Sequence, residues 1–187
     1  MDKICAVIDV QGFQFRDRFV PREVAIVSDF ISQCQELNPQ MNWKELSDED
    51  QAVVLHSTKF KHGLHYCPFN PIQHSFLYSS NEIGKIISQW YNMVATEDKP
   101  FFAFKNQQMG KILNEMGIPT FDLDSPELNL PNYKDIQEKY GDTYLCSYHK
   151  KPMRNSNIKL TCAYRKANHL YRLLNEMKNS QTDWFNM

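Results

Sequence analysis

The sequence predicts a mixed α/β sheet, and three observations lead to it. The stretch 3–10, KICAVIDV, is a short apolar run bounded by Gly12, the pattern of a buried central strand. Two more strand-like stretches, 19–27 and 29–34, follow in quick succession, as in an antiparallel meander. From Pro100 onward strand, helix and strand alternate, which implies a parallel pair joined by a right-handed crossover. Three antiparallel strands followed by alternating helix and parallel strand make one α/β sheet of mixed direction.

Each element has a local reason. In FVPREVAIV (19–27) the residues alternate, and Pro21 is tolerable near the start of a strand or at an edge. Residues 47–57 read as helix because Ser47 is a good N-cap and the acids after it suit the positive end of the helix dipole. The stretch 59–78 carries Gly63, Pro68 and Pro71 without periodicity and reads as loop. A helix from Asn81 to about Val94 has Ser79 and Glu82 as a capping box and Ile83, Ile86, Ile87 and Trp90 on one face. FFAFK after Pro100 is a short strand, 106–116 a helix stopped by Gly117, and 118–124 the next strand. A short helix at 132–140 and a last one from about Cys162 to Lys178 complete the series, the latter with Ala163, Ala167, Leu170 and Leu174 inward.

The 187 residues are most simply one domain, 1–178, with a short tail, 179–187. A hydrophobic content of 42% and a charged content of 23% place the chain among globular domains. A net charge of −1 gives no global pull on nucleic acid, so any such surface must be a local patch. Five cysteines, no recognisable secretory leader and no apolar run of membrane-spanning length point to an intracellular setting, cytoplasmic or nuclear, without a membrane. There, metal binding or plain burial is the expected fate of cysteine.

The special chemistry is concentrated in 145–174, which holds Cys146, His149, Cys162 and His169. A Cys-x-x-His pair followed by a Cys at the start of a helix suits a tetrahedral zinc site. His169 lies seven residues, two helical turns, beyond Cys162 and so on the same face. A plainer reading makes both cysteines buried apolar side chains and His149 a surface residue. Asp122 and Asp124 are a candidate carboxylate pair or a solvated strand end. His62, His65 and Cys67 have ligand-like spacing in a loop, where His and Tyr rings also suit stacking on bases. Lys150, Lys151, Arg154, Lys159, Arg165 and Lys166, interleaved with Tyr148 and Tyr164, form either a phosphate-binding groove or a solvated face.

The order of elements is that of an RNase H-like sheet, and three motifs can be set against the four-acid exonucleases of that fold, which hold two metal ions on carboxylates. CAVIDVQGF resembles the first motif, with Asp9 present and Gln11 in place of the second acid. FAFKNQQMG resembles the second, with Asn106 present and Gly110 in place of the acid. TCAYRKANHLYRLL resembles the third, with Thr161 and Lys166 replacing its His and Asp. Asp9 is the only remnant of the acidic set, so an active two-metal exonuclease ranks last.

The chain more closely resembles the Maelstrom domain, an RNase H-like fold that has lost those acids and carries a Glu-Cys-His-Cys set instead. Val20-Pro21-Arg22-Glu23-Val24 matches the segment that bears the Glu; Cys146, His149 and Cys162 match the rest. The resemblance covers Ile8 to Leu174, without the HMG box that animal members usually add. It implies structural Zn2+ held by Glu23, Cys146, His149 and Cys162, joining the second strand to the last helix, whereas spacing alone offers His169 as the alternative fourth ligand. The function it implies is single-stranded RNA binding with weak endoribonuclease activity in a small-RNA or transposon-silencing (piRNA) setting. The alternative is a catalytically inactive pseudo-nuclease scaffold for protein partners.

Overall fold

The computed structural model describes residues 1–40, 42–64, 66, 78–141 and 162–183, with side chains through 180. The strands are β1 (Ile4–Gln14), β2 (Phe19–Val27), β3 (Ser32–Asn38), β4 (Tyr78–Ser79), β5 (Phe101–Phe104) and β6 (Thr120–Asp122). The helices are α1 (Asp48–Phe60), α2 (Ile83–Val94), α3 (Gln107–Glu115), α4 (Tyr133–Tyr140) and α5 (Ala163–Asp183). The strands form one sheet in the order β4-β3-β2-β1-β5-β6. β1, β2 and β3 are antiparallel, whereas β5 is parallel to β1 and β6 to β5.

Alternation along the strands divides the core between the two faces of the sheet. Ala6, Ile8 and Val10 pack with Val24 and Ile26 against Ile86, Ile87 and Trp90 of α2 and Met109 and Leu113 of α3. Val7, Ala25, Val27 and Ala103 face the other way, against Ile136 and Tyr140 of α4 and Ala167, Leu170 and Leu174 of α5. Each fully buried Val, Leu, Ile or Met side chain here contributes roughly 1.5–3 kcal/mol of transfer free energy. A third cluster, Phe13, Phe15, Val20, Leu46 and Val54, closes the end under α1.

The helix starts follow their caps. Ser47 accepts from Asp50 N at the head of α1, Asn106 from Gln108 N at α3, and Asn132 from Asp135 N at α4. The Ser79–Glu82 capping box is formed, but it heads a 3-10 turn (Ser80–Glu82) that leads into α2. β3 begins later than the alternation suggests, because Ser28 Oγ accepts from the amides of Phe30 and Ile31 and draws 28–31 into a turn. β4, read in the sequence as loop, pairs only Tyr78 and Ser79 with Leu37 and Asn38.

The mixed sheet is therefore present, but among the described residues no zinc joint is formed between the second strand and the last helix. Among the described residues no three His, Cys, Asp or Glu side chains are grouped to hold a metal ion. Among the described residues, too, no helix is long and apolar enough to cross a membrane.

Candidate functional site

In open α/β sheets, ligands bind beyond the carboxyl ends of the parallel strands. Here β1 brings Asp9 and Gln11 to that end, β5 leads into Lys105 and Asn106, and β6 ends at Asp122, two residues before Asp124. Alternation turns Asp9 toward the same face as Val7, the face covered by α5, and it is completely buried. α5 carries Lys166 to it: Nζ lies 3.2 Å from Asp9 Oδ1. The same ammonium donates to Lys105 O at 2.8 Å and sits 5.6 Å from the centroid of the Tyr133 ring. Carboxylate, carbonyl and aromatic face together make a cation cradle filled by the chain's own lysine.

The neighbours complete the closure. Gln11 Nε2 donates to Asp9 Oδ2 at 3.2 Å, and Asn106 Nδ2 donates to Val10 O at 2.8 Å. Burial pushes the Asp9 carboxyl above its ordinary range, while Lys166, Gln11 and Asn106 pull it back. Lys105 pairs with Asp124 at 2.5 Å, and Asp124 N donates to Asp122 Oδ1 at 2.8 Å. The two acids thus serve a strand-end turn and an ion pair. A Cβ on Gly110 would stand 2.6 Å from Cε2 of Phe104, so the place where the second-motif acid would begin is occupied by an aromatic ring. The motif positions Asp9, Gln11, Asn106 and Lys166 converge, and what they build is a closed charge pair.

Glu23 has a different task from the one expected. Its Oε2 accepts from Ala163 N at 2.7 Å, capping the first turn of α5 from a neighbouring strand. Its Oε1 accepts from the thiols of Cys34 at 3.2 Å and Cys162 at 3.6 Å. Both oxygens of this fully buried carboxylate are thereby engaged in hydrogen bonds. His169 is buried elsewhere, with Nδ1 3.4 Å from Tyr133 Oη and its ring against Tyr140. Cys146 and His149 lie outside the described residues. The zinc assignment to Glu23, Cys146, His149, Cys162 or His169 is corrected accordingly: β2 is fastened to α5 by a carboxylate cap.

Cys34 is the member of this cluster that sequence reasoning missed. It reaches Glu23 because Ala25 pairs with Cys34 across β2 and β3, a register that is unreadable before the intervening turn is known.

The RNA-facing expectations lose their basis along with the metal. Arg165 is buried, and Lys166 is committed to Asp9. Lys150, Lys151, Arg154 and Lys159 lie outside the described residues. His62 is buried: Nδ1 accepts from Leu64 N at 3.1 Å, which makes Nε2 the protonated nitrogen, donating to Gly12 O at 3.1 Å. Its ring packs against Phe13 and is not available to stack on a base. His65 and Cys67 lie outside the described residues.

Compared with protein-family models, curated proteins and solved structures, the chain matches none.

Proposed function

We propose that this chain is a non-catalytic interaction domain that works by binding protein partners. The observation that carries the non-catalytic part of this reading is the burial of Asp9 against Lys166. A carboxylate that is to hold a hard cation or activate water needs free lone pairs facing a space that solvent or substrate can enter. Asp9 has instead a resident ammonium and no solvent exposure, and the adjoining Gly110 position is filled by Phe104. The convergence of Asp9, Gln11, Asn106 and Lys166 also supports a lineage shared with the four-acid exonucleases of RNase H-like fold, with Lys166 standing where one of the acids would be.

The test is incubation with labelled single-stranded RNA and DNA in magnesium, in manganese and in EDTA. The expected result is no metal-dependent cleavage in wild type or in Asp9→Asn. Cleavage that requires either metal and disappears in Asp9→Asn overturns the proposal.

A further inference from the structure

Helix α1 commits only one side to the fold. Val54 and Ser57 are buried, while Ala52, Leu55, His56, Lys59 and Phe60 are exposed, a stripe at helical spacing. Leu55 is 63% exposed and Phe60 49%. Phe60 is held on the surface by its own helix: the His56 ring lies 5.1 Å from it and Lys59 Nζ 5.0 Å from its centroid. At the head of the stripe Asp48 and Glu49 are also exposed.

The outer face of α1 is therefore ordered by chemistry. It is acidic in its first turn, apolar through Ala52 and Leu55, and basic and aromatic in its last turn. A two-fold axis perpendicular to the helix near Leu55 lays the acidic end of one copy along the basic end of another. It also sets the small Ala52 opposite the turn that carries His56. A surface of this kind is its own complement, which is the requirement for an isologous interface.

We propose that α1 is a self-association surface on which a second copy of this chain docks its own α1 in antiparallel orientation. Leu55 packs at the axis, and Glu49 faces the partner's Lys59. The inference gives the interaction domain a partner and so rests on that reading, but its test reads mass instead of cleavage, so the two fail separately. A 13-residue helix is about 20 Å long. A single pair of such helices buries less than the roughly 800 Å² per partner of a stable complex, so association in the micromolar range is expected.

Sedimentation velocity from low to high micromolar concentration is the experiment. Wild type should move from monomer toward dimer as concentration rises. Leu55→Asp changes an exposed position, so circular dichroism should show the fold retained, while the dissociation constant rises at least about tenfold. Glu49→Lys should weaken the dimer, and Glu49→Lys combined with Lys59→Glu should restore it. A monomer at every concentration, a dimer indifferent to Leu55→Asp, or a charge reversal that the second substitution does not repair would each overturn the proposal.

Discussion

Lys166 Nζ stands 3.2 Å from Oδ1 of Asp9, a carboxylate with no solvent exposure. The pair joins the middle of the sheet to α5 at the end where an α/β fold ordinarily keeps its ligand. Coulomb attraction offsets part of the desolvation of Asp9, and the carboxyl nevertheless remains above its ordinary range. The folded state thus holds the Asp9 proton more tightly than the unfolded chain does.

The sign of the resulting pH dependence follows. A carboxyl raised on folding contributes stability that is fully present below its unfolded value and is lost as pH rises through the folded one. Urea unfolding of wild type and Asp9→Asn, compared at mildly acidic and at neutral pH, should show wild type losing ground to the variant toward neutrality. A difference between the two that stays constant with pH would show that Asp9 is not titrating in this way.

Glu23 is expected to act as a cap and to need no metal. Glu23→Ala removes the acceptor for Ala163 N and for two thiols, and should cost about 2–4 kcal/mol in chemical denaturation. Glu23→Gln keeps one acceptor oxygen and should cost less. A strong chelator should leave the melting temperature of wild type unchanged; a fall on chelation, reversed by zinc, would restore the metal reading.

Two glycines are held by close packing, with different expected penalties. At Gly12, where the β1–β2 register shifts, a Cβ would lie 2.2 Å from Val20 O and 2.8 Å from Pro21 Cα, both backbone atoms of the paired strand. Gly12→Ala should cost about 3 kcal/mol, the upper end for overpacking. At Gly110 the obstacle is the Phe104 ring, which can turn, so Gly110→Ala should cost nearer 1 kcal/mol. Melting temperatures that fall in the opposite order would contradict this account of the two contacts.

The central sheet was legible because its strands carry their own signal. β2 runs over 19–27 as the alternation indicates, and β1 begins within a residue of its apolar run. β4 was not, since two residues hold no period, and the Ser28 turn that displaces β3 depends on a single hydroxyl. At the site, the sequence shows Lys166 standing where the resembled motif would carry an acid. That its ammonium turns inward to Asp9, and does not join a basic surface, depends on how α5 lies across the sheet. Glu23 was found for the wrong reason: the segment 20–24 marked it as a ligand by resemblance, whereas the helix terminus it caps comes into view only once α5 is placed against β2.

The most direct measurement of the central claim is a double-mutant cycle in chemical denaturation on Asp9 and Lys166. Lys166→Met leaves the carboxylate buried without its counter-ion and should cost about 3–5 kcal/mol at neutral pH. Asp9→Asn removes the charge while keeping the shape and should cost much less. The double variant should recover most of the loss. Losses that simply add, or a Lys166→Met protein as stable as wild type, would show that the pair is not coupled and that Asp9 does not depend on Lys166 to be tolerated inside the fold.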